Sequence, residues 1–405
     1  MALHLFEGFG VELEYMIVQK DTLKVLPVTD KILKAFAGEF IDEIDNGAIS
    51  WSNELALHVI ELKTNGPAAD LEGLSRQFAD NVKQINELLK PFMGILLPTA
   101  MHPFMDPFSE MQLWPHQRNE IYEKYNSIFD CKGHGWANLQ SVHLNLPFQG
   151  DEEFARLHAA IRVILPILPA LAASSPLKDG QFTGLKDTRL DVYQSNQKKV
   201  PSIAGKVIPE QVFTKADYDE KILKRNYQDI SPYDPECILQ DEWLNSRGAI
   251  ARFQRNAIEI RVLDIQECPA ADLAVLKLIV STIRSLSEGR FSKLEQQKKW
   301  EVDPLYNILK SCIKDAEEAI IDNTDYLKLF GYEGVALSAG ELWQFLASKA
   351  ADLSEEDKVI IQKIGKEGTL STRISRKLNN SADHNKLVEV YRELSNCLQE
   401  NKMFT

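Results

Sequence analysis

Within Phe9-Gly10-Val11-Glu12-Leu13-Glu14-Tyr15, the residues from Val11 on alternate strictly between apolar and acidic side chains. That period predicts a strand with Val11, Leu13 and Tyr15 on one face and Glu12 and Glu14 on the other. Two carboxylates one pleat apart repel, so a positive partner is expected between them. Taken alone, the stretch also fits a solvated edge strand. Leu55–Lys63 is another extended candidate, closed by Asn65-Gly66-Pro67. Glu54 and Glu61 frame that segment at opposite parity. Either a bulge intervenes or Glu54 sits in the preceding loop. Ser141–Pro147 sets Ser141, His143 and Asn145 against Val142, Leu144 and Leu146. Ala257–Asp264 sets Glu259 and Arg261 against Ile258, Ile260 and Val262, with Arg252 and Arg255 just upstream.

Helical spacing separates these strands. Leu71, Leu74, Phe78, Val82, Ile85 and Leu89 predict an amphipathic helix ended by Pro91. Residues 152–173 read as a buried helix with a proline-bent end. Between the two, His102, Trp114 and His116 are candidates for a pocket wall. Residues 174–235 are rich in turn chemistry, and so long a connection reads as a lid or binding loop. It carries Lys186, Arg189, Tyr193, Lys198 and Lys199. Arg189 is the candidate there for a carboxylate or phosphate contact, because guanidinium binds bidentately. From about residue 272 the chain turns helical. Asp272, the Ser338–Glu341 capping box and Asp383 mark helix starts.

Composition narrows the function classes. The 405 residues carry a net charge of -13, which argues against nucleic acid as a partner. Five cysteines form no CxxC pair, as expected of a reducing, cytoplasmic setting. The start lacks the features of a signal peptide, and the most apolar run, 159–173, is too short and interrupted to span a bilayer. Glycine-rich nucleotide loops are missing. One catalytic domain over 1–405 is expected, with homo-oligomer formation left open.

The strands together predict an α+β fold. A curved, mostly antiparallel sheet would carry helices on its outer face and a polar concave side. Several glutamates and one histidine on that side suit two or three Mg²⁺ or Mn²⁺ ions, and nearby arginines suit phosphate.

The ordered set Gly10-Val11-Glu12-Leu13-Glu14, Glu54 to Glu61, Val142-His143-Leu144-Asn145 and Ile258-Glu259-Ile260-Arg261 resembles the motifs of the glutamate–cysteine ligase type 2 family, relatives of glutamine synthetase and the guanidino kinases. Ala173-Ser174-Ser175-Pro176, Gly184 to Arg189 and Gly368 to Arg373 extend the resemblance. Lys186-Asp187-Thr188 departs from the small residues expected before the arginine. The resemblance implies ATP-dependent joining of the γ-carboxylate of L-glutamate to L-cysteine through an acyl phosphate. It implies Glu12, Glu14, Glu54, Glu61, His143 and Glu259 as metal ligands. Arg261 would meet the transferring phosphoryl group, and Asn145 would sit beside the metals or the glutamate. Arg189 would bind phosphate or carboxylate, and Arg252 and Arg255 join the ATP- and substrate-binding set. Another amine acceptor, a guanidino kinase with Cys268 near its substrate, and a metal-stabilised binding protein are the alternatives.

Overall fold

The computed structural model describes residues 3–405. Eight strands form one antiparallel sheet: β1 Gly10–Gln19, β2 Glu43–Asn46, β3 Ile49–Asn53, β4 Val59–Thr64, β5 Gly94–Leu97, β6 Ser141–Pro147, β7 Ala249–Arg252 and β8 Ala257–Asp264. Their order is β2-β3-β4-β1-β6-β8-β7, and β5 pairs with the far end of β1. The alternation in the sequence sorts the two faces. Val11, Leu13, Tyr15, Ile60, Leu62, Val142, Leu144, Ile258 and Ile260 all lie in the core. Each such side chain contributes on the order of 2 kcal/mol through burial.

Helices cover that apolar face. Leu74–Leu89 buries Phe78, Val82, Ile85 and Leu89, and packs against Pro269–Ser287. Pro269–Ser287 also packs against Gly150–Ile164, which is buried from Phe154 onward except at Arg156. Among the described residues no helix is long and apolar enough to cross a membrane. From Pro269 on, the chain is helical apart from a two-stranded pairing of Ile320–Ile321 with Leu337–Ser338.

Three local readings change. Extended structure begins only at Val59, because Leu57 and His58 form a turn and Glu54 lies in the loop after β3. The helix at Asp272 starts earlier, behind Cys268, and Asp272 instead accepts a hydrogen bond from the Gln266 N–H at 2.8 Å. The 174–235 connection is not irregular throughout, since it holds helices at Thr188–Tyr193, Lys215–Tyr218 and Lys224–Ile230.

The β6–β8 register contains a feature that the pattern hid. Ile260 pairs with Leu144 and Leu263 with Val142, so Arg261 and Val262 together oppose His143. This is a β-bulge, which leaves one residue unpaired and bends the strand. Past it, Asp264 lies opposite Ser141.

Candidate active site

The polar face gathers its side chains by register. Glu12 lies opposite His143, Glu14 opposite Glu61, and Glu259 opposite Asn145. Gly10 faces Asn145, where a methyl group would come within 2.8 Å of the Asn145 Cβ, so glycine lets β1 and β6 approach. The Glu12 carboxylate receives His143 Nδ1 at 2.8 Å and Asn145 Nδ2 at 2.9 Å. Glu14 accepts from the Ser141 N–H at 2.6 Å and from Ser141 Oγ at 2.8 Å. With its proton committed to Glu14, Ser141 Oγ accepts from His143 Nε2 at 3.0 Å. Both ring nitrogens of His143 therefore donate, and the ring is an imidazolium.

The electrostatics agree. Burial opposes charge on His143, but the Glu12 hydrogen bond and the charges of Glu12, Glu14 and Glu259 raise its pKa to about 9. Desolvation opposes charge on the half-buried Glu12 too, yet His143 holds it down to about 2. Glu61 is pushed up to about 7 by burial and by Glu12, against the opposing pull of Lys63. Burial, Glu61 and Glu14 raise Glu54 well above the carboxylate range. More carboxylates converge here than the local cations neutralise. Two trios, Glu12/His143/Glu259 and Glu14/Glu61/His143, bring donor atoms within 4.8 Å of one another. Oxygen donors with one imidazole are a set that fits a hard divalent cation such as Mg²⁺ or Mn²⁺.

Two cavities open onto this cluster. The larger, about 880 Å³, runs from Gly8–Gly10 past Glu12, Glu61 and Asn145 to Arg252 and Arg255. The smaller, about 410 Å³, is walled by Tyr122, Tyr125, Trp136 and Trp243, with Gln197 among its polar groups. Glu54, His143 and Arg261 line both. Arg261 sits 3.2 Å from Glu259 Oε1, and Arg252 donates to Glu259 Oε2 at 3.2 Å.

The sequence profile described as Glutamate-cysteine ligase family 2 matches residues 8–315. The chain belongs to this family. An uncharacterized protein of Archaeoglobus fulgidus is 33% identical over 401 residues, covering 98% of this chain and 99% of that protein. A Rubrobacter xylanophilus protein named "Putative glutamate--cysteine ligase 2-3" is 27% identical over 188 residues, 45% of this chain and 47% of its own length. Two solved structures share the fold. Glutamate–cysteine ligase of Francisella tularensis, in complex with AMP, has a TM-score of 0.62 at 14% identity, covering 98% of this chain and 90% of that one. A bifunctional glutathione synthetase of Pasteurella multocida has a TM-score of 0.59 at 14% identity, covering 98% and 52%. Family and fold make the protein an ATP-dependent carboxylate–amine ligase of the family-2 type.

Within this ligase, all eleven residues singled out from the sequence line one or both cavities. They do not all do so in the same way. Glu54 stands outside both metal-competent trios, although it borders both cavities. Arg255 is exposed at the large cavity. Arg189 departs most from its expected contact with phosphate or carboxylate. It is 2% exposed, and its guanidinium is spent on the Arg261 and Val262 carbonyls and on Asp264.

Other candidates fall away from the cavities. His102 is bound through Nε2 to the Leu23 carbonyl at 2.7 Å, Trp114 is core, and His116 pairs with Asp30 at 3.0 Å. Cys268 is fully buried, and burial pushes its thiol well up, which disarms it as a nucleophile. Lys198 is exposed, and Lys199 donates to the Ile128 carbonyl at 3.2 Å. Lys63 was overlooked, though its parity with Glu61 placed it on the polar face. It lies 3.2 Å from Glu61 and 3.5 Å from Glu43. The aromatic wall of the small cavity had no local signal, since it is assembled from segments far apart in sequence.

Proposed function

We propose that this protein uses ATP to activate the γ-carboxylate of L-glutamate and passes the γ-glutamyl group to an amine, with L-cysteine the leading acceptor. A γ-carboxylate oxygen attacks the γ-phosphorus of ATP, and the bond to the bridging oxygen breaks, releasing ADP. The amine then attacks the carbonyl carbon of the γ-glutamyl phosphate. It loses a proton as phosphate departs, leaving an amide. The observation that carries this reading is the meeting of two cavities at Glu54, His143 and Arg261. A nucleotide in one chamber can then hand a phosphoryl group to a carboxylate at the mouth of the other.

Both reactants of the first step are anions, so the barrier is largely charge repulsion. In this reading Arg252 and Arg255 meet the phosphates of the larger chamber. Arg261 meets the moving phosphoryl group, which gives it more to bind in the transition state than in the ground state. Glu12, Glu14, Glu61, His143 and Glu259 would hold the divalent ions, with Glu54 beside them; such ions supply charge neutralisation across the phosphates. His143 would give up a proton on ligation. Asn145 fixes the Glu12 carboxylate, and the walls of the small chamber keep water from the acyl phosphate.

The test is a panel of amines with ATP, Mg²⁺ and glutamate, scored for ADP and for the amide. Product with cysteine, lost in EDTA and restored by Mg²⁺ or Mn²⁺, is the expected result. Product only with another amine replaces the acceptor and keeps the chemistry. Full activity in chelator removes the metal reading, and ADP without any amide removes the ligase reading.

A further inference from the structure

The β8 bulge is held by a buried polar network beside the small cavity. Arg189 Nη2 donates to the Arg261 carbonyl at 2.9 Å, and Nη1 reaches the Val262 carbonyl and Asp264 Oδ1, each at 3.3 Å. Asp264 Oδ2 accepts from the Ser174 N–H and from Ser175 Oγ, each at 2.8 Å. Ser175 Oγ in turn accepts the Arg189 N–H at 3.1 Å. Ser174, Ser175, Asp187, Arg189 and Asp264 are all at most 2% exposed. A bulge leaves backbone groups without ladder partners, and a buried carbonyl without a donor is costly. One planar guanidinium reaches two carbonyls and a carboxylate here, which an ammonium cannot do from a single point.

We propose that Arg189, braced by Asp264 and Ser175, is the positioning residue that sets the aim of Arg261 at the junction of the two cavities. This rests on the reading of Arg261 as the group that meets the phosphoryl. The bulge decides the height and tilt at which the Arg261 side chain leaves the sheet. The brace fixes the bulge at the carbonyl of Arg261 itself. Arg189 thus acts through the backbone of another residue rather than on a substrate.

Arg189→Lys keeps the charge opposite Asp264 and removes the fork. The turnover number should fall about a hundredfold, the scale set by misplacing a group by an ångström. KM for ATP and for glutamate should stay within twofold. In an Arg261→Lys background the same change should do little more, because the residue it aims is gone. Ser175→Ala, a milder loss from the same brace, should give a smaller fall with the same split and covers the case in which Arg189→Lys does not fold. A readout independent of activity is the ¹H–¹⁵Nε resonance of Arg261, assigned by its disappearance in Arg261→Lys. It should shift or broaden in Arg189→Lys or Ser175→Ala. An unmoved resonance, or losses that multiply fully in the double variant, would overturn the proposal. Absence of ligase activity in the unaltered protein would instead strike the functional reading and leave the resonance test standing.

Discussion

Glu259 and Glu61 share a sheet face, yet the same substitution should move their stability in opposite directions. Glu259 is 4% exposed and is the common partner of Arg252 and Arg261. Glu259→Gln leaves two guanidiniums without their carboxylate, a change that costs about 3 kcal/mol in buried pairs. Glu61 is raised to about 7, first by burial and then by Glu12, so at pH 8 the folded state carries a charge it disfavours. Glu61→Gln removes that penalty, and the melting temperature in EDTA at pH 8 should hold or rise. Turnover should drop about a hundredfold or more in both. Melting curves and kinetics of the two variants check this. A destabilised Glu61→Gln would mean that Lys63, and Ser52 Oγ donating to Glu61 Oε1 at 2.8 Å, outweigh the crowding. Single residues were legible in the sequence where parity placed them, as with Glu12, Glu14, His143 and Glu259. Parity says nothing about residues reaching a strand from a distant segment, so the contacts of Arg189 with the Arg261 and Val262 carbonyls and with Asp264 had no signal in the pattern.

At the scale of elements, period-2 alternation identified β1, β6 and β8, because one face of each is core and the other is the site. It overran at Leu55–His58, where apolar residues pack from a turn. It also passed over the bulge, since one extra residue in β8 leaves the composition unchanged and only cross-strand register reveals it. Close approach of strands was equally silent. Gly10 carries no side chain because Asn145 occupies that space, with the Asn145 Cβ 2.8 Å from where a methyl would stand. Gly10→Ala should therefore spread β1 from β6. Overpacking of this kind costs about 1–3 kcal/mol. It should also pull Asn145 from Glu12 and lower turnover more than stability alone explains. Circular dichroism melts and steady-state rates would show this. A variant with unchanged turnover would mean that Asn145 can rotate aside and that the spacing of the two strands is not critical.

At the scale of the molecule, the same burial that builds the core stores an acid sensitivity. His58, His102 and His158 are each at most 1% exposed. Burial lowers His58 and His102 from 6.5 to about 4 and His158 to about 3. The hydrogen bonds of His102 fix the neutral form, since Nε2 donates to the Leu23 carbonyl and Nδ1 accepts from the Phe104 N–H. An unfolded histidine takes its proton near 6.5, so below that pH the unfolded chain binds protons that these folded sites refuse. The stability they confer is complete above about pH 6.5 and drains away as the pH falls through the window toward 4. Each site can account for about 3 kcal/mol across that range. Glu61 and Glu54, raised in the folded state, take up protons over the same range and pull the other way, so the rings are read by difference. The slope of the urea-unfolding free energy against pH, taken at pH 7.5, 6.0 and 5.0, is compared between the unaltered protein and a histidine variant. His158→Leu should take one proton out of that slope. A slope that His158→Leu leaves unchanged would mean that this ring is hydrated or already charged in the folded protein, and that the core around it is looser than its burial states.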